Sequence, residues 1–250
     1  MLSFRCNAHL IHMKYLDVHL LYLLTPIVFL AHRCAYRPWG RGHASKGLAL
    51  MVLAATVWTT PWDNLMLHLG VWSYPDGAVL GHIFLVPIEE HLFFILQPIL
   101  TGLLVIVWLS GERAPATRSR VVRLTGAVAI LAATFWGLAH LEGHTYYLAV
   151  TIGWFGPVLA LQWFVGGDLL WARATRLVPV FAVATVYLGL VDGLAMRAHI
   201  WSISEAHTIG WSIGNVPIEE IAFFAITNLL VIFGLVLWVD LREGRLWSRD

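Results

Sequence analysis

Charge is what this chain has least of. Only 12% of its 250 residues are Asp, Glu, Lys or Arg, about half the share in an ordinary soluble domain. Cysteine is almost absent as well, and Cys6 and Cys34 alone exclude a disulfide framework or a cysteine metal cluster. No Gly-x-Gly-x-x-Gly follows a strand-like run, so no dinucleotide-binding fold is visible. The twelve histidines do not gather into the close boxes that a membrane di-iron site needs, and no metal is expected. The net charge of +1 points to no nucleic-acid partner. Residues 1–12 are polar and irregular, and Met13-Lys14-Tyr15-Leu16 reads like a natural start, so 1–12 is expected to be an extension.

Apolar residues make up the balance, 59% of the chain. They fall in seven stretches, approximately 15–32, 47–69, 79–109, 121–140, 145–165, 175–196 and 209–239. Each can cross a hydrocarbon core of about 30 Å, which takes about 20 helical residues. The expected fold is therefore an all-α membrane protein of about seven transmembrane helices. The third and seventh stretches exceed the minimum and are expected to tilt, or to break at a proline. Thirteen of the sixteen basic residues follow spans one, three, five and seven; only Arg5, Lys14 and Arg197 fall opposite. The positive-inside rule then puts the N-terminus outside and the C-terminus in the cytoplasm.

The chain repeats itself. Asp63, Trp72 and Ser73 recur as Asp192, Trp201 and Ser202 at an offset of 129, and Val86-Pro87-Ile88-Glu89-Glu90 recurs as Val216-Pro217-Ile218-Glu219-Glu220 at 130. Phe93 and Phe94 recur as Phe223 and Phe224. Spans two and three run in the same directions as spans six and seven, so the repeat is parallel. The expected units are 13–110 (spans one to three) and 144–250 (spans five to seven), with 111–143 as a linking span. Parallel repeats are related by an axis along the membrane normal and often enclose a site between them.

Glu89, Glu90, Glu219 and Glu220 are the residues with the most chemical content. A carboxylate in hydrocarbon costs at least about 2.5 kcal/mol and usually marks function. In a dry site one member of each pair can stay protonated and serve as a proton donor. A structural reading competes: proline followed by acids is how many helices begin, and Asn215 ahead of Pro217 strengthens it. Against that reading, both copies keep the phenylalanine pair one turn below the acids. Asp63 and Asp192, on the same side of the membrane, are either partners of the glutamates or solvated acids near span ends. Trp72 and Trp201 belong to the repeat and are either interfacial belt residues or part of a π-rich lining. His82 and His91 flank the first motif where Ser212 and Ile221 flank the second, so the two copies have diverged.

Pro61-Trp62-Asp63-Asn64, Gly70-Val71-Trp72, Val86 to Phe94 and Pro217 to Phe224 together resemble the membrane carotenoid cyclases of the lycopene cyclase type. The resemblance covers nearly the whole chain from Met13 and corresponds to the single-chain form, without the synthase domain of the fungal proteins. It implies cyclisation of the linear ends of lycopene or a related carotene, with no cofactor. Its substrate would be dissolved in the lipid bilayer, and other membrane enzymes of carotenoid biosynthesis would be partners. The site it implies has Glu89 and Glu219 as leading acid/base residues and Glu90 and Glu220 tuning or sharing the proton. Asp63 and Asp192 would support them. Trp72, Phe93, Phe94, Trp201, Phe223 and Phe224 would line the cation.

The residues alone leave other readings open. A proton-coupled carrier suits duplicated units with buried acids equally well. An intramembrane protease of the Glu-Glu type would carry an arginine where phenylalanine stands here. A prenyltransferase would need Asp-x-x-x-Asp pairs that the spans lack. The motifs could also be purely structural in a subunit of a larger membrane assembly.

Overall fold

The computed structural model describes residues 13–36, 42–110 and 119–246. The expected extension 1–12, with Arg5, and the loop cations Arg37, Arg41, Arg113, Arg118 and Arg249 lie outside the described residues. Seven long helices follow one another: α1 (Tyr15–Ala35), α2 (His43–His68), α3 (Ile88–Trp108), α4 (Arg120–Leu138), α5 (Tyr146–Ala172), α6 (Ala174–Arg197) and α7 (Ile218–Arg242). Six are long and apolar enough to cross a membrane; α2 matches them in length at 26 residues but is less apolar. Part of its polar content is turned inward, since Thr59 and Asp63 are buried in the bundle beside Trp62. Within α1 one π-helical turn, His19–Leu24, widens the helix.

Both long apolar stretches start as something other than helix. α3 begins at Ile88 and α7 at Ile218, where hydropathy alone extends them back to 79 and 209. The prolines decide this. Pro87 and Pro217 sit at the helix N-caps with extended ψ angles of 147° and 146°, and a proline also biases the residue before it away from helix. Six two-residue strands fill the loops that precede α3 and α7: β1 (Trp72–Ser73), β2 (His82–Ile83), β3 (Val86–Pro87), β4 (Ser202–Ile203), β5 (Ser212–Ile213) and β6 (Val216–Pro217). β2 pairs with β3 and β5 with β6 as matching hairpins, one in front of each Glu-Glu motif. Each hairpin turns on two residues, the first in the left-handed region: Gly214 at φ 67°, but Phe84 at φ 57°. The third pair, β1 with β4, is antiparallel and joins the two repeats.

α7 lies at the centre and α4 at the edge. Buried residues make up 61% of the most apolar window in α7 and 17% in α4. α4 is nevertheless held: Trp163 of α5 donates to Val122 O at 2.9 Å, and its ring fills the space beside Gly126, where a Cβ would sit 1.9 Å from Trp163 Nε1. Arg123 of α4 also pairs with Asp168 of α5 at 2.7 Å. At the same end of the bundle, away from the Glu-Glu motifs, Arg173 grips Asp240 of α7 with two nitrogens at 2.6 and 3.0 Å. At the other end an aromatic core centres on Trp62. Its ring stacks on Phe223 (centroids 5.0 Å apart, planes 3° apart) and meets Phe155 and Trp72 edge-on at 5.1 and 5.2 Å.

Candidate active site

Each Glu-Glu pair occupies the first turn after its proline, and its two members do different things. Glu89 Oε1 accepts from the Leu80 backbone N–H at 2.9 Å, and Glu219 Oε1 accepts from Ile209 N–H at 2.7 Å. Ile88 N–H to Gly81 O (2.9 Å) and Ile218 N–H to Trp211 O (3.0 Å) close the same loops. Glu89 and Glu219 thus staple the preceding loop to the start of its helix. Both are fully buried, and Oε2 of each has no hydrogen-bond partner among the described residues.

The next residue points elsewhere, because one step along a helix turns the side chain by about 100°. Glu90 and Glu220 face a shared chamber of ≈ 50 Å³. Asp63 of α2 and Asp192 of α6 line it too, so each repeat contributes one Asp and one Glu. Oδ2 of both aspartates is buried without a partner among the described residues. The walls are aromatic, and Trp72, Trp201, Phe93, Phe94, Phe223 and Phe224 all take part. The two tryptophans are buried linings and not belt residues. Among the described residues no Lys or Arg lines the chamber. The structure therefore brings together ten of the twelve sequence-derived site residues and sets Glu89 and Glu219 apart from them.

Tyrosines missing from the sequence reading complete the chamber. Tyr15 and Tyr74 both donate to Glu90 Oε1, at 2.7 and 2.5 Å, and Tyr147 donates to Glu220 Oε1 at 2.5 Å. Tyr74 stands in the loop between α2 and α3, where burial above all, and then the neighbouring Glu90, push its hydroxyl well above the ordinary phenol range; it stays a donor. Tyr15 and Tyr147 open α1 and α5 at corresponding places. The signal was present as Tyr15-Leu16-Asp17-Val18 against Tyr147-Leu148-Ala149-Val150, a third part of the repeat. Beneath the chamber lies a second, apolar cavity of ≈ 300 Å³ between α2, α5 and α7, which shares Phe93, Phe94 and Phe223 with it.

A family model described as lycopene cyclase matches residues 12–108 and 144–238. The chain belongs to the lycopene cyclase family. It is 37% identical over 214 residues to a lycopene beta-cyclase of Halobacterium salinarum, covering 85% of this chain and 90% of that relative. It is 32% identical over 245 residues to a bifunctional lycopene cyclase/phytoene synthase of Arthroderma gypseum, covering 89% of this chain but 41% of that longer protein. A second fungal relative with the same description, from Neurospora crassa, is 32% identical over 236 residues. No solved structure matches the chain.

The two halves of this lycopene cyclase family member brace their hairpins by one device with the roles exchanged. In the first, Asn64 of α2 accepts from the Leu85 N–H in the turn, at 3.1 Å. In the second, Gly193 takes the place of Asn64, and Asn215 in the turn donates back to Gly193 O at 2.8 Å. A Cβ on Gly193 would lie 2.9 Å from Val216 Cγ2, so the glycine makes room for the reversed contact. Asn215, read from sequence as a helix-start signal, belongs to this brace.

Proposed function

We infer that this chain is a carotenoid cyclase that closes rings on the ends of lycopene or a related linear carotene, without redox chemistry, and that the four-carboxyl chamber is where it does so. The carrier reading gains no support from family membership. The observation that carries the assignment to the chamber is the convergence of Asp63, Glu90, Asp192 and Glu220 on one aromatic space that adjoins an apolar cavity. Four carboxyls in one aromatic space, with no Lys or Arg lining it among the described residues, favour sharing protons over carrying four charges. Such a space holds both a donor and an acceptor.

The reaction follows from that pairing. A carboxylic acid breaks its O–H bond and gives the proton to the terminal alkene, forming a C–H bond and a tertiary cation. The π electrons of a nearby alkene form the ring C–C bond and carry the positive charge into the ring. A carboxylate then takes a ring proton, leaving a new double bond. One proton enters and one leaves, so the product is an isomer of the substrate. Trp62, Trp72 and the phenylalanines surround the cation with aromatic rings, any face turned to it being worth about 0.5–2 kcal/mol, and keep out water that would trap it.

Glu220 is our choice of donor and Glu90 of acceptor. Two phenol hydroxyls point at Glu90 and one at Glu220, and donated hydrogen bonds favour the carboxylate form. Glu89 and Glu219, the leading pair on sequence alone, are assigned to holding the loops. Asp63 and Asp192 share protons with the glutamates. The ring type proposed is β, on the likeness to the halobacterial relative.

The proposed domains are two repeats, 13–110 and 144–250, joined by 111–143. The two blocks of the family match, with a gap over α4, support this division. The basic loop residues support a cytoplasmic-membrane orientation with the N-terminus outside. The two-activity description of the fungal relatives supports partners among carotenoid-pathway membrane enzymes.

The test is pigment analysis in cells that accumulate lycopene. Glu90→Gln and Glu220→Gln should each lower cyclised product by about 100-fold or more at equal membrane abundance. Glu89→Gln and Glu219→Gln, which keep an accepting oxygen, should retain most of it. The opposite ranking would return the chemistry to Glu89 and Glu219. Wild-type chain that leaves lycopene untouched would end the cyclase assignment.

A further inference from the structure

A twofold chamber offers two equivalent routes in from lipid, one between α2 and α5 and the other between α6 and α1. The structure leaves them unequal. On the α2/α5 side lies the ≈ 300 Å³ cavity, lined by Ala54, Ala55, Trp58, Thr59 and Phe155 and meeting the chamber at Phe93, Phe94 and Phe223. On the α6/α1 side only ≈ 30 Å³ remains, among His19, Leu23, Leu188 and Asp192. We propose that the α2/α5 opening is the portal through which a carotene end reaches the carboxyls, and that the α6/α1 side is closed to it.

The asymmetry has identifiable causes. Thr59 of α2 corresponds to Leu188 of α6, and that larger side chain is 1% exposed, filling the space its counterpart leaves open. Leu23, in the place of Phe155, falls within the π-helical turn of α1, which displaces its side chain relative to a regular helix. Tyr187 seals the same side by donating to Tyr22 O at 2.6 Å. Its counterpart Trp58 accepts through its backbone carbonyl from Trp154 at 3.2 Å and stays 43% exposed at the cavity rim beside Val57.

The occupant follows from the lining. Phe223 to Val231 of α7 both border the cavity, a run of about 12 Å along the helix at 1.5 Å per residue. It starts one turn below Glu220 and continues toward the middle of α7. A slot that is mostly apolar, with Thr59, Gln97, Gln162 and Thr227 interspersed, aromatic at its inner end and finished by carboxyls fits the end of a polyene. The apolar groove at Arg197, Ile213 and Asn215 shares no lining residue with the chamber and gives no access to it.

This inference rests on the cyclase reading, and the experiment separates the two. Ala54 and its counterpart Val183 both face outward, Val183 with 48% exposure, so a tryptophan at either is compatible with folding. In lycopene-accumulating cells Ala54→Trp should lower ring formation by about tenfold or more, while Val183→Trp stays within about twofold of wild type, both at wild-type membrane abundance. A second readout needs no turnover: in the Glu220→Gln background, carotene co-purified per chain should fall with Ala54→Trp and hold with Val183→Trp. Equal losses from both substitutions, a larger loss from Val183→Trp, or none from Ala54→Trp would overturn the portal. Unconverted lycopene with the wild-type chain would overturn the cyclase reading, while co-purification still decides which side admits the carotene.

Discussion

Ser73 and Ser202 touch: their hydroxyl oxygens are 2.9 Å apart, and each is the repeat counterpart of the other. A residue can meet its own counterpart only on the axis that relates the two copies. The antiparallel register around them agrees, since Trp72 opposes Ile203 and Ser73 opposes Ser202. The pseudo-twofold axis therefore passes through the β1–β4 pair directly over the chamber, and Trp72 and Trp201 flank it.

That placement predicts a cross-link. Directly opposed antiparallel residues have Cα atoms about 4.5–5.5 Å apart, inside the range a disulfide spans. With Cys6 and Cys34 replaced by serine, Ser73→Cys plus Ser202→Cys should oxidise to an intramolecular bond. A protease site inserted between residues 111 and 118 reads the result. The cleaved chain should run as one band when oxidised and as two after reduction. Two bands in both lanes would separate β1 from β4.

Glu89 and Glu219 are predicted to matter for stability more than for chemistry. Glu89→Ala and Glu219→Ala each remove the acceptor of a part-buried hydrogen bond, from the Leu80 or Ile209 N–H, at a cost of about 0.5–1.5 kcal/mol. Glutamine at either site keeps an acceptor and should restore most of the loss. Thermal unfolding in detergent, followed by size-exclusion fluorescence, checks both. Alanine variants as stable as wild type would remove the stapling role.

Much of this was legible in the sequence because it is written twice. The helices and the repeated motifs follow from hydropathy and pairing, whereas the sequence left open whether Asp63, Asp192, Trp72 and Trp201 join the glutamates or lie at span ends. The starts of α3 and α7 were not legible in that way. Ile83, Phe84, Leu85 and Val86 are as apolar as the helix behind them, and a hydropathy window does not separate a short apolar hairpin from a helical turn. The division of labour within each Glu-Glu pair was hidden for a geometric reason. Adjacent helical residues differ by about 100° in direction, and only the packing of α3 and α7 fixes which one meets the chamber. Tyr74 was hidden because Ile203 replaces it in the second repeat, so it leaves no paired signal.

The tyrosine donors predict an unequal pair of phenotypes. Tyr147→Phe removes the one tyrosine hydroxyl on Glu220, whereas Tyr74→Phe leaves Tyr15 on Glu90. Tyr147→Phe should therefore lower cyclisation by about tenfold, the equivalent of a hydrogen bond of about 1.4 kcal/mol, and Tyr74→Phe by less. Ring formation per unit of membrane protein, measured for both variants in parallel, tests this. A larger loss from Tyr74→Phe would point to Glu90 as the more sensitive carboxyl and reverse the proposed donor and acceptor.

Phe84 gives the last prediction, because it is the one place where the second repeat shows how to improve the first. Its backbone sits at φ 57° in a two-residue turn, a conformation that costs a non-glycine residue about 1–2 kcal/mol, and its ring is 85% exposed. Gly214 makes the corresponding turn at φ 67° without that cost. Phe84→Gly should raise thermal stability in detergent, against the ordinary trend for a large-to-glycine change, because little packing is lost and strain is relieved. The gain depends on the brace from Asn64 to Leu85 N–H, which fixes the turn in this conformation. In an Asn64→Ala background the turn is free to relax, and the same substitution should then gain less. Equal gains in both backgrounds would show that Asn64 does not hold the strained turn.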